Sequence, residues 1–279
     1  MSTEIATFPA LFRTAWDQYK KRALPLLAVL LIGTVVIGSL MLALVLCVTL
    51  GGAMLSHFTD ERTAAYLVII LVCVLLLVLT VLIIWSQTAF LAMVVNEDLG
   101  IIEAFQAGWT WLLPMAWVLT LASAILLAGF ALGILPGFLF AVWFAFCMYV
   151  LLDEDRRGMD ALLASREYVR GHWWNTFGKL LLLWLISAVI SFLPFIGQVL
   201  SLLFAPFFML FLLTMYRDLK AAHGVATLDA GPGSRIFWWT MAVIGLALPL
   251  AALAAALFSL LTGEQEWIHF PEAMHGRWL

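Results

Sequence analysis

Charge is scarce in this chain. Only 11% of its 279 residues are Asp, Glu, Lys or Arg, against roughly 25% in an average soluble domain. Hydrophobic residues make up 65%, which excludes an ordinary water-soluble globule. Cysteine is scarce as well. Cys47, Cys73 and Cys147 all lie in apolar runs. An odd number without metal-ligand spacing argues against a disulfide framework and leaves them as small packing residues.

The familiar catalytic signatures are missing too. There is no HExxH, Walker loop, nucleophile elbow or glycine-rich dinucleotide turn. His57, His172, His223, His269 and His275 are scattered along the chain. The expectation is a non-enzyme with no catalytic residue, no metal and no cofactor. The net charge of -3 gives no footing for nucleic acid, and no such partner is expected. No apolar run carries an Asp, Glu, Lys, Arg or His near its centre. Ion- and proton-coupled carriers need such groups along their pathways, so that class is disfavoured.

Long apolar runs are what the chain does have. About twenty residues suffice to cross the hydrocarbon core as a helix. The pattern predicts an all-α, polytopic membrane protein forming a single membrane domain over 1–279. Seven spans are placed at 24–50, 65–95, 114–135, 138–152, 177–193, 199–216 and 236–262. Gly51-Gly52 would end the first span, and 53–63 would be an outer loop. Leu135-Pro136-Gly137 and Pro194–Gly197 would be tight outer turns. Residues 219–235 read as a loop, and 263–279 as an outer tail. About twenty mixed residues precede the first run, unlike a cleavable signal, so that span should be retained.

Three segments, 8–22, 100–112 and 159–173, repeat apolar residues at helical spacing. They are expected to be interfacial amphipathic helices. The order amphipathic helix, span, turn, span then recurs in units 8–96, 99–153 and 158–217. All three units start and end on one side, which makes them parallel repeats rather than an inverted pair.

Charge gives these spans a direction. Twelve of the 14 Lys and Arg residues fall on one side of the pattern, leaving Arg62 and Arg277 on the other. The positive-inside rule makes the first side cytoplasmic. The expected location is therefore the bacterial inner (plasma) membrane, with the N-terminus cytoplasmic and the C-terminus outside. Trp16, Trp109, Trp111, Trp173, Trp174, Trp238 and Trp239 fall at predicted cytoplasmic borders, where indole is favoured.

Residues 136–178 carry a family likeness. They read Pro-Gly, an aromatic-rich span, Asp153-Glu154, Ala161-Leu162, Ser165-Arg166, Val169-Arg170-Gly171 and Trp173-Trp174. This resembles the bacterial membrane domain found fused to glycerophosphodiester phosphodiesterases, and the related YciC-like inner-membrane proteins. The catalytic domain of the fused family has no counterpart here. The resemblance therefore implies a membrane module with lipid or envelope biology, and not hydrolysis.

The candidate lipid-headgroup or partner site comprises Asp153, Glu154, Arg156, Arg157, Ser165, Arg166 and Arg170. Arginines gathered by a folded-back helix could grip phosphate in bidentate geometry. Topological anchoring accounts for the same residues. Gly129, Gly133 and Gly137 form a helix-packing stripe, read as a contact within the hairpin in preference to a dimer interface. Gln87 and Gln198 are read as helix contacts. The functional expectation is a non-enzymatic protein that binds or organises membrane phospholipids of the cytoplasmic leaflet. The alternatives are a docking subunit with a membrane protein partner, and an uncoupled permease or lipid transporter.

Overall fold

The computed structural model describes residues 5–58, 60–193, 196–224 and 232–262. These form ten helices and, among the described residues, no strand: α1 (Phe8–Phe58), α2 (Glu61–Val95), α3 (Ile101–Thr110), α4 (Leu112–Leu132), α5 (Ile134–Trp143), α6 (Cys147–Glu154), α7 (Met159–Val169), α8 (Trp173–Ser191), α9 (Ile196–His223) and α10 (Pro232–Thr262). Seven stretches within them are long and apolar enough to cross a membrane, with α5 and α6 together supplying the fourth.

Several boundaries differ from the sequence expectation. The stretch 8–22 is not a separate helix. It runs through Pro25 and Gly51-Gly52 into one helix ending at Phe58. In hydrocarbon a broken helix would leave backbone groups without water, so Pro and Gly are carried through. The connection between the first two spans shrinks accordingly, and Asp60 caps α2 by accepting from the Thr63 N–H at 3.1 Å. The turn expected at 135–137 lies at Gly133 instead, whose φ of +145° is open to glycine. Pro136 sits in the first turn of α5, where its missing N–H is harmless.

The sixth span runs past residue 216 to His223, and Pro232 and Gly233 already belong to α10. Pro194, Phe195, 225–231 and the tail 263–279 lie outside the described residues.

The fourth span is not continuous. Residues 144–146 leave the α-helix, with tighter backbone bonds from Ala145 to Val142 and from Cys147 to Phe144. Helix α7 explains the break. Its Ser165 hydroxyl accepts from the Phe146 N–H at 3.2 Å and donates to the Trp143 carbonyl at 2.8 Å. The side chain replaces the ladder bonds that the break removes, a recognised cause of a sharp helix interruption.

Helix α7 is also buried on most of its surface. Eight of its 11 residues are inaccessible, including Ala161, Leu162, Ser165, Tyr168 and Val169. It therefore offers no broad apolar face to lipid, contrary to the interfacial expectation for 159–173. Small Ala161, Ala164 and Ser165 let its neighbours close around it. The aromatic stripe of 8–22 is likewise covered by protein. Phe8 meets Phe211, Phe12 meets Phe207 at 4.9 Å, and Trp16 meets both Phe204 and Phe207. Helix α3 packs on α2 through Ala104 and Gly108 while Ile102 and Trp109 stay exposed.

The chain divides into two compact units. The larger holds residues 1–122 and 141–230. In the smaller, residues 123–140 form a hairpin joined by α10. There a Cβ on Gly129 would lie 2.6 Å from the Phe140 ring and 3.2 Å from the Gly137 Cα. Gly137 is in turn filled against by Phe130. The Gly129–Gly137 approach is thus a contact within the hairpin. Trp238 of α10 stacks edge-on against Phe140, and Gly245 abuts the Ala124 backbone.

Candidate functional site

Most of the described charged side chains of the larger unit gather at one end of its helices, Asp60 at the start of α2 lying away from them. The start of α1, the end of α2, the end of α6, the start of α8 and the end of α9 all meet there. Each junction is a charged group on a backbone or side-chain partner.

The last carbonyls of α2 have no partners within their own helix, and α2 carries no basic residue in its last turn. Two arginines from other helices serve them. Arg22 of α1 donates to the Met93 carbonyl and, at 3.0 Å, to the Asn96 carbonyl. Arg217 of α9 donates to the Val95 carbonyl at 3.0 Å and lies 3.6 Å from Glu97. Positive charge at a helix C-terminus is favoured by the helix dipole as well as by these bonds.

The N-terminal segment is held in the same way. The Ala6 N–H donates to Asp218 at 2.9 Å, and Lys179 donates to the Ala6 carbonyl at 2.8 Å. Lys179 is buried, so its charge relies on this carbonyl and on Asp218 nearby.

The densest group surrounds Glu154 at the end of α6. Its Oε1 accepts from the Tyr168 hydroxyl and the Tyr216 hydroxyl, each at 2.7 Å. Lys220 lies 3.3 Å from the same oxygen, and Arg156 Nε lies 2.9 Å from Oε2. Asp153 takes a second bond from Tyr216, at 3.1 Å, and pairs with Lys220. One half-buried carboxylate thereby ties α6, α7 and α9 together. Tyr149 completes the layer by donating to the Met209 carbonyl at 3.0 Å.

The backbone that presents these acids is specialised. Asp155 closes α6 in the left-handed region at φ 52°, and Gly158 opens α7 at φ 58°. A Cβ on Gly158 would sit 3.1 Å from the Trp117 indole nitrogen. Only short residues suit this turn.

The seven candidates named from sequence therefore separate. Asp153, Glu154 and Arg156 come together, but around tyrosines and Lys220. Ser165 is fully buried in the break of the fourth span, out of reach of any headgroup. Arg166 lies 5.0 Å over the Trp143 ring, and burial pulls its pKa below the ordinary arginine value. Arg157 pairs with Asp155 and lies 5.4 Å over Trp111, while Arg170 faces Glu167 at 3.6 Å. The four arginines do not converge on one phosphate-sized point; each has its own acid or ring.

Tyr168, Tyr216 and Lys220 were not singled out by sequence. A signal existed: the chain has only five tyrosines, and a tyrosine in an apolar run needs a partner for its hydroxyl. Two histidines also meet despite their separation. The His172 and His223 rings are 5.1 Å apart, edge to face, and His223 Nε2 donates to the Arg170 carbonyl at 2.9 Å.

Seven helical stretches long and apolar enough to span a bilayer define a multi-pass integral membrane protein. Comparison with family models, with curated proteins and with solved structures finds no match.

Proposed function

We propose that this chain is a non-enzymatic protein of the bacterial inner membrane that binds anionic phospholipid of the cytoplasmic leaflet. In this reading the basic end faces the cytoplasm. The charge bias of 12 in 14 supports that orientation.

One observation carries the proposal. The cations of this end fall into two groups. Arg22, Arg156, Lys179, Arg217 and Lys220 are turned inward onto carbonyls and carboxylates. Arg13, Lys20, Lys21, Arg157 and Arg170 are exposed around it, with side chains of Lys20, Arg157 and Arg170 58%, 62% and 70% accessible. The internal pairs fix the helix ends, and the outer ring meets the headgroups. Each basic group near an anionic surface contributes about 1 kcal/mol.

Native mass spectrometry of the purified protein tests this reading. Phosphatidylglycerol should be retained in preference to phosphatidylcholine. Changing Lys20, Lys21, Arg157 and Arg170 to Gln together should abolish that preference. Unchanged preference in the folded variant would remove the proposal.

A further inference from the structure

A second lipid-directed feature lies on α1, α2 and α3, apart from the charged groups. These helices line an open cavity of about 550 Å³. Ligand pockets for small molecules span roughly 300–1,000 Å³, so this volume is large enough to hold one. We propose that it holds an acyl chain of a bilayer phospholipid.

The walls decide the chemistry. Val36 of α1, Leu82 of α2 and Ile102 and Phe105 of α3 are apolar. The Trp85 indole N–H is already donated to the Phe105 carbonyl at 3.0 Å. Ser86 and Gln106 are the remaining polar side chains of the lining. A buried water needs about three polar partners. Two side chains cannot hydrate a space of this size, and no charged side chain lines it.

The position decides the source. Val36, Ile102 and Trp109 line the cavity yet remain 38%, 74% and 64% accessible, so it opens sideways through the outer surface of the bundle. The lining segments of α1 and α2 belong to membrane-spanning stretches. What lies against that opening is the bilayer, and the apolar chains at hand are those of its phospholipids. Trp109 and Gln106 sit on α3, where an indole and an amide suit the ester level of the leaflet. α3 is fixed over the space: Gly108 packs so closely on Ala89 that an added Cβ would lie 2.8 Å away. At Gly33, α1 comes close to α2, where an added Cβ would lie 1.9 Å from the Ser86 hydroxyl.

Binding here depends on the chain and not on headgroup charge. It therefore stands or falls separately from the basic ring proposed above. The test uses the full-length protein in nanodiscs containing phosphatidylcholine with a photoactivatable diazirine on its acyl chain. After irradiation, peptide mapping should find labelling of 32–37, 82–86 and 102–109 at least fivefold denser than on lipid-facing Leu181, Leu182, Leu185 and Val189 of α8. Val36→Trp and Leu82→Trp should reduce the cavity labelling to the α8 level. Equal density on α8 in the wild-type protein would overturn the assignment without recourse to any variant. So would full cavity labelling in a tryptophan variant whose thermal unfolding is unchanged. Labelling by a diazirine fatty acid but not by the phospholipid would also overturn it.

Discussion

The Ser165 hydroxyl stands 3.2 Å from the Phe146 amide nitrogen and accepts its hydrogen bond. The two residues are 19 apart in sequence, Ser165 on α7 and Phe146 in the break between α5 and α6. Through this contact α7 repairs the backbone of the fourth span. Discontinuous spans in transporters commonly leave backbone groups for a substrate or ion. Here the Phe146 N–H and the Trp143 carbonyl are already engaged by Ser165.

Ser165→Ala should therefore destabilise the protein without altering its surface. It leaves a buried N–H and a buried carbonyl each short of a partner, at about 1–3 kcal/mol. Thermal unfolding in detergent should show the loss. Amide exchange at Phe146 should accelerate more than exchange in α2. A variant as stable as the parent would mean the break is held by something else.

Removing the Glu154 carboxylate should cost more. Glu154→Ala leaves two tyrosine hydroxyls, Lys220 and Arg156 facing an empty space. Hydrogen bonds to charged groups contribute about 1.5–3 kcal/mol each, and more than one donor loses its partner here. Glu154→Gln keeps the shape and should fall between that variant and the parent. A double-mutant cycle with Tyr216→Phe should give a coupling above about 0.5 kcal/mol, the range seen for residues in one network. Strict additivity would contradict the shared hydrogen bond.

Arg22 and Arg217 cap one helix end from two sides. Each single change to Gln should destabilise, by about 1.5–3 kcal/mol, the range for hydrogen bonds to charged groups. The prediction is specific about where: exchange protection should fall first at Met93 to Asn96. Loss spread evenly over α1 and α9 would argue against a capping role.

Glycines in this chain should not be equivalent. Gly129→Ala drives a methyl group toward Phe140, and overpacking of this kind costs about 1–3 kcal/mol. A Cβ on Gly38 meets nothing within 4 Å, so Gly38→Ala should be neutral or slightly stabilising by helix propensity. Unfolding of the two variants side by side distinguishes close packing from a general intolerance of alanine.

The spans were legible because hydrophobic length is a local property. The second span, for example, needs only its own uncharged run from Tyr66 to Val95. The Gly129–Gly137 contact was legible for the same reason, being confined to one hairpin. The exact turn was not, since Gly133 and Pro136-Gly137 are both breakers and proline also suits a first helical turn. The role of Ser165 was hidden because it depends on a backbone break that Trp143–Cys147 does not announce. Asp160, Arg166 and Glu167 give α7 a polar side, so its sequence reads as amphipathic. Burial of the remainder comes from small residues accepting neighbours distant in sequence. The Glu154 group needs Tyr216, 62 residues away, and no local pattern joins them.

That separation has a meaning for biogenesis. The interrupted fourth span is made before the residues that complete it. At about 5–20 residues per second, the ribosome needs about 3–12 s to travel the 62 positions from Glu154 to Tyr216. During that interval the nascent chain carries, at the end of a span, an acid whose tyrosine partner on α9 is not yet made. Quality-control proteases and insertion chaperones would meet this half-built hairpin before α9 arrives to close it.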